Sequence, residues 1–353
     1  MKILIPVILS YLLAVLLLNL FSKKRNKYET DINLEDNQKE EENQYNVTDK
    51  ECEKHEFLMA KEEACIIARK VESELEAKYV MSQNSSESVQ VAMAQTKNFE
   101  AQKYLLKFPD LSAEALVTIC EKPSTFNFEN DLVQRWFIDA INRTKLTSKQ
   151  EIRISQNGKN FVMSKALILK KDLSSDGLVE LCRNPGNMNL DSETVRKWYL
   201  DAVERIIPSE EYQLKMVASG NFAILRALML SKNLKGETLA AISESPGSMN
   251  LDSEIIWNWF EKAVKRTELT TSQQVRMAEA RNFASNRAII LNPNIAYEAF
   301  LAICKDTKCF NMKNDTVQRY FRDATHRLLP NLSDKQKIEL AQTKIEGVLK
   351  GLM

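Results

Sequence analysis

The sequence predicts an all-α chain: an α-solenoid of four 61–62-residue repeats plus a partial fifth, preceded by one N-terminal transmembrane helix. Three observations predict it. An Asn-Phe pair returns at Asn98-Phe99, Asn160-Phe161, Asn221-Phe222 and Asn282-Phe283, in steps of 62, 61 and 61 residues. A second aromatic pair keeps the step, at Trp136-Phe137, Trp198-Tyr199, Trp259-Phe260 and Tyr320-Phe321, and an arginine trails each pair at Arg143, Arg205, Arg266 and Arg327. An uncharged apolar run fills residues 3–21. Self-similarity at a fixed period marks units that cannot bury their apolar faces alone and must stack on their neighbours. Only eight Gly and eight Pro in 353 residues argue against a sandwich built on tight turns.

Residues 1–21 read as a signal-anchor. Nineteen apolar residues in a helix span about 28 Å, close to the hydrocarbon thickness of a bilayer. A cleaved secretory signal is the competing reading, but its apolar stretch is shorter and ends in small residues. Here the run passes into Ser22-Lys23-Lys24-Arg25. With only Lys2 before the span and Lys23, Lys24, Arg25 and Lys27 after it, the positive-inside rule places the bulk of the chain in the cytoplasm. Cys120, Cys182 and Cys304 fall in phase with the repeat, with Ser243 in the remaining unit, which fits buried free thiols better than a disulfide framework. Five short glycosylation acceptors, at Asn46, Asn84, Asn142, Asn314 and Asn331, point the other way, to an extracytoplasmic chain.

Residues 22–50 are polar and mixed in charge, a flexible linker. Over 51–84, Ala64, Ile67, Ala68, Val71 and Leu75 recur at steps of three and four, predicting one N-terminal capping helix. Repeats then cover 85–146, 147–208, 209–269 and 270–331, and 332–353 is a partial fifth that acts as a C-terminal cap. Each full repeat reads as four short helices. Thr147 with Gln150, Thr270 with Gln273 and Ser333 with Gln336 are capping boxes for the first helix, and Ser209 keeps the cap alone. The Asn-Phe pair separates the first helix from the second, Ser112 and either Ser174 or Asp172 start the third, and Asp191 and Asp252 suit the start of the fourth. On the fourth, Val133, Trp136, Phe137, Ala140 and Ile141 form one apolar stripe, repeated at Val195 and Ile256. The loop before it carries an in-phase Asn, at Asn127, Asn189, Asn250 and Asn311.

The strings ALILKKDLSSDGLVELC and RAIILNPNIAYEAFLAIC resemble helical repeats of the leucine-rich-variant and HEAT-like kind, which set an Ala-Leu helix, an Asp-Leu or Asn-Pro turn and a Leu-rich helix in series. The resemblance implies an α-solenoid that binds other macromolecules.

Little in the sequence suggests chemistry. Cys52, His55 and Cys65 match no zinc spacing, and His326 is the only other histidine. No phosphate-binding loop, dinucleotide fingerprint or metalloprotease string occurs. The expectation is therefore no enzyme, no cofactor and no metal; with a net charge of +1, no nucleic-acid partner is expected either. The aromatic ladder is expected in the core, and the ladder arginines are expected to act structurally, beside the i,i+4 acids Asp139, Asp201 and Asp323. A second basic row, Arg153, Lys215 and Arg276, is the candidate partner-binding stripe, with the loops around Asn127, Asn189, Asn250 and Asn311 as the fallback surface. The predicted function is a membrane-anchored scaffold or adaptor binding a protein or peptide along its solenoid surface. An extracytoplasmic version of that scaffold and an enzyme with a concealed site are the alternatives.

Overall fold

The computed structural model describes residues 62–157 and 160–353. The expected anchor at 3–21, the linker at 22–50 and residues 51–61 of the expected capping helix lie outside the described residues. Among the described residues there is no strand, and no helix is long and apolar enough to cross a membrane.

A helical stretch over 62–68 leads to α1 (Glu74–Gln83). The first unit follows as α2 (Glu87–Gln95), α3 (Phe99–Lys107), α4 (Ala113–Glu121) and α5 (Asp131–Arg143). The second is α6 (Ser148–Asn157), α7 (Phe161–Leu169), α8 (Ser175–Arg183) and α9 (Glu193–Ile206). The third is α10 (Glu210–Val217), α11 (Phe222–Leu230), α12 (Gly236–Glu244) and α13 (Glu254–Arg266). The fourth is α14 (Thr271–Glu279), α15 (Phe283–Ile290), α16 (Tyr297–Lys305) and α17 (Asp315–Leu328). A 3₁₀ turn over Leu329–Asn331 passes to α18 (Asp334–Gln342) and α19 (Glu346–Leu352).

From α1 to α17 each helix packs against the helix two places along the chain, as α17 does against α19, and side-chain bonds from Tyr297 and Lys305 to Glu339 join α16 to α18. Even-numbered helices therefore form one row and odd-numbered helices a second. Each unit is two helix pairs in series, so the long period of the sequence is a doubled helical hairpin.

Short links set this pattern. Helices α2, α14 and α18 end on a residue in the left-handed region (Lys97 φ 56°, Arg281 φ 58°, Lys344 φ 58°), and α10 ends at Gly220 with φ 63°. The next residue after the first, second and last-named full-unit turns is the repeated Asn, which caps the following helix. Its side-chain oxygen accepts from Ala101 N (3.1 Å), Val162 N (2.8 Å), Ala223 N (2.9 Å) and Ser285 N (2.8 Å) in the four units. Ser112 and Ser174 cap α4 and α8 in the same way. In the loop before the fourth helix, Asn127, Asn189, Asn250 and Asn311 each accept from the amide two residues on, at 3.0–3.2 Å, closing four like Asx turns. Asp191 and Asp252 are not caps. The N-cap positions belong to Ser192 and Ser253, whose side chains make no cap bond.

The expected helix over 51–84 is interrupted within its described part. A turn at Arg69-Lys70 follows residue 68, and α1 starts afresh at Ser73. Ser73 and Glu76 form a complete capping box, which satisfies free amides at 73 and 76 and makes a new helix start there. The break leaves Ala68 and Val71 buried but Ile67 and Leu75 exposed.

The aromatic ladder divides between core and surface. Phe137, Tyr199, Phe260 and Phe321 are fully buried, whereas Trp136, Trp198, Trp259 and Tyr320 are half-buried against the edge of the core. Cys120, Cys182 and Cys304 are buried free thiols whose pKa is raised by burial, and Ser243 fills their place in the third unit by donating to Leu239 O at 3.0 Å.

Candidate interaction surface

The ladder arginines belong to the scaffold. Arg205 Nη2 donates to Ile168 O (2.9 Å) and Lys170 O (3.1 Å), at the C-terminal end of α7. Arg143 reaches Leu106 O and Phe108 O, Arg266 reaches Met229 O, and Arg327 reaches Ile290 O. The same residue in each unit thus closes the carbonyl end of the second helix, where a positive charge also meets the negative end of the helix dipole. Burial lowers the pKa of all four. The i,i+4 acids make no ion pair with them among the described residues.

A buried polar clamp ties the first helix of each unit to the loop before the third. Gln90, Gln213 and Gln274 donate to two loop carbonyls each and accept one amide: Gln213 bonds Pro208 O and Asn233 O (both 3.0 Å) and Lys235 N (3.2 Å). The second unit departs from this. Glu151 stands at that position, 1% exposed, accepting from Ser174 N at 3.0 Å, and the fully buried Lys170 lies 3.6 Å from its other oxygen. Lys170 also contacts Asp172, whose pKa it lowers through that hydrogen bond. Gly177 is required beside this pair, because a Cβ there would meet Glu151 Oε2 at 2.7 Å and Leu173 Cδ1 at 2.8 Å.

The candidate stripe lies on the even row, and its three members differ. Arg153 on α6 spans two acids of α4, with Glu121 at 2.9 Å and Glu114 at 2.8 Å. Arg276 on α14 does the same with Glu244 (2.7 Å) and Glu237 of α12. Both guanidinium pKa values are raised by these hydrogen bonds. Lys215 on α10 instead pairs within its own helix, with Glu211 at 2.6 Å, and lies over Tyr212 at 4.8 Å. Two of the three charges are therefore engaged in holding neighbouring units together.

The odd row carries a further set of in-phase basic residues, outside the candidate stripe. Lys103, Lys165, Arg226 and Arg287 keep the steps of 62, 61 and 61. Each is tied to the preceding odd helix: Lys103 to Glu74 (2.9 Å), Lys165 to Gln134 Oε1 (3.1 Å), Arg226 to Glu193 (2.6 Å) and Arg287 to Glu261 (2.9 Å). Three of them also lie over an aromatic ring of the ladder, Lys165 at 5.8 Å from the Trp198 centroid, Arg226 at 5.5 Å from Trp259 and Arg287 at 5.8 Å from Tyr320. The half-buried Trp and Phe rings pair beneath them, Phe161 with Trp198 at 6.3 Å and Phe222 with Trp259 at 6.2 Å.

Two grooves open along this row. One is lined by Phe128, Gln134, Asn160, Phe161 and Asn187, the other by Arg196, Phe222, Arg226, Asn250, Ile255 and Trp259. Gln134 and Arg196 are in phase, as are Phe161 and Phe222, so the grooves occupy one place in successive units. Their walls are set by a recurring bond. Gln134, Arg196, Trp257 and Gln318 all donate a side-chain N–H to the carbonyl six residues upstream, the first three at 3.1, 3.1 and 2.6 Å. The fallback loops contribute directly, through Asn250.

No protein-family model, characterised protein or solved structure matches this chain.

Proposed function

We propose that this chain is a membrane-anchored helical-repeat scaffold that binds an extended segment of another protein along its solenoid surface. The observation that carries the reading is the groove of the odd row, which recurs at one register with half-exposed aromatic rings on its floor and different polar residues at its rim. A repeated apolar floor gives affinity to a chain lying across several units, and the varied rim gives selectivity. Ile255, 62% exposed at the edge of the second groove, is an apolar contact held out to solvent. The membrane part of the proposal rests on residues 3–21 and the cluster Lys23, Lys24, Arg25 and Lys27, with the bulk of the chain on the cytoplasmic side.

A photoreactive amino acid at Ile255, introduced in cells, is expected to form a discrete adduct with another polypeptide, while the same label at exposed Lys149 on α6 forms none. No adduct from Ile255, or the same adduct from both positions, rejects the groove. Protease added to intact cells is expected to spare residues 62–353; their digestion reverses the orientation.

A further inference from the structure

The joints between even-numbered helices use three positions, two on the third helix of a unit and one on the first helix of the next. At α4/α6 they are Glu114, Glu121 and Arg153; at α12/α14 they are Glu237, Glu244 and Arg276. At α16/α18 they are Glu298, Lys305 and Glu339, and the signs of the bridging pair are exchanged. Glu339 occupies the arginine's place and accepts from Lys305 at 3.1 Å, with Tyr297 donating to it at 2.8 Å. Each of these joints sets acid against base.

The joint α8/α10 breaks the rule. Its three residues are Asp176, Arg183 and Lys215, so two cations stand where the other joints hold an opposed pair. The glutamine that reinforces the neighbouring joints is also missing. Gln150 and Gln273 each reach the nearer acid at 3.5 Å, whereas Tyr212 occupies that position in α10. Ser209 correspondingly makes no side-chain cap bond. Among the described residues, no acid pairs with Arg183, which is exposed, and Lys215 turns to Glu211 of its own helix. No side-chain hydrogen bond joins α8 to α10 among the described residues.

We infer that the α8/α10 joint is a docking point for an acidic segment of a partner protein, one carboxylate of which takes the bridging place between Arg183 and Lys215. The geometry comes from the sister joints. There the side chains at these two positions meet directly, at 2.7–3.1 Å, so Arg183 and Lys215 stand at places from which the fold brings two side chains together across a joint. The triad holds two cations and one acid here, against one cation and two acids in each of the other three; Glu211 answers Lys215, and Arg183 is the cation with no described acid partner to draw an anion. Tyr212, beneath Lys215 at 4.8 Å, adds an apolar face beside the charge. The inference rests on the scaffold reading and names one chemical feature of its partner.

The test is a fluorescence-anisotropy titration of full-length protein in nonionic detergent with fluorescein-labelled hexaglutamate at low salt. Saturable binding is expected, weakened about fivefold or more by Arg183→Glu and by Lys215→Glu, since each removes an attraction and adds a repulsion. Arg183→Glu rebuilds the acid–base pair of α4/α6, and Lys215→Glu rebuilds the exchanged pair of α16/α18, so both variants should unfold in urea no earlier than the parent. Lys149→Glu on α6 should bind as the parent does. Absence of saturable binding, unchanged binding in both joint variants, or an equal loss in Lys149→Glu overturns the inference. The Ile255 adduct is an independent readout: if it persists while the titration fails, the joint is rejected and the scaffold stands.

Discussion

The second and third units have the same four helices in the same packing, yet they solve two local problems with different chemistry. The third anchors its loop with the neutral Gln213; the second uses Glu151 with the buried Lys170. The third is fastened to its successor by Arg276 between two carboxylates; the second meets its successor through Lys215, whose described ion pair stays within α10. The arginine clamp recurs in both, with Arg205 on two carbonyls and Arg266 on one. The comparison separates what the repeat requires from what it leaves free. Backbone carbonyls at the end of the second helix must be closed in every unit, because they are shielded from water. The polar joints are open to variation so long as apolar packing holds the rows together.

The largest effect should come from breaking the exceptional anchor. Lys170→Ala is expected to cost about 3–5 kcal/mol, because it strands the carboxylate of Glu151 in the core. Adding Glu151→Gln should recover most of that loss by restoring the neutral anchor of the third unit. Urea unfolding of both variants checks it, and equal stability of the single and double variants would show that Lys170 does not offset the buried charge of Glu151.

Next come the two halves of the aromatic pair. Tyr199→Ala removes a fully buried ring and the bond from its hydroxyl to Leu181 O (3.0 Å), for about 3–5 kcal/mol. Trp198→Ala removes a ring that is half in water and should cost about 1–2 kcal/mol. A larger loss for Trp198 would put both rings in the core.

The shared clamp should behave alike in both units. Arg205→Ala and Arg266→Ala are each expected to cost about 1.5–3 kcal/mol, as charged hydrogen bonds to shielded carbonyls do. Unequal losses in denaturation would show that the clamp, too, differs between units.

The smallest effect concerns the joints. Arg276→Ala should cost about 1 kcal/mol and Lys215→Ala close to nothing, since both sites are partly solvated. Acid sharpens the contrast. Arg276 holds the Glu237 carboxyl below its usual range through a hydrogen bond. A depressed folded-state pKa contributes stability above the ordinary carboxylate range and loses it as pH falls through the lowered value. Arg276→Ala should therefore move the acid limb of unfolding, followed by circular dichroism, to higher pH; an unmoved limb would show that the bridge carries no linkage.

Periodicity makes the repeat, the capping asparagines and the split into four helices legible from the residues alone, because each leaves an in-phase mark. Partners separated by many residues leave none. The clamps bind carbonyls 35–37 residues away, which no side-chain pattern records, so Arg143 reads as a partner of Asp139 instead. The Glu151–Lys170 pair reads as two surface charges until its burial is seen. The row Lys103, Lys165, Arg226 and Arg287 yields to the same counting that finds the aromatic ladder; it is hidden only by the many other lysines on these helices. The groove is half legible, through its loop asparagines. Its aromatic floor reads as core throughout, because helical spacing marks which side of a helix is apolar and not how deeply a neighbour covers it.

The reach of these contacts has a consequence for how the protein is made. An arginine clamp spans 37 residues, the bond from Asn282 to Ser243 O spans 39, and that from Tyr297 to Glu339 spans 42. Each helix needs only the next two or so to be in place, so the entropy of loop closure stays small throughout. On the ribosome, a unit can dock and seal its carbonyls as soon as its own fourth helix has emerged, before the following unit is complete. Growth of the chain and growth of the folded array then proceed in the same direction, one helix pair at a time.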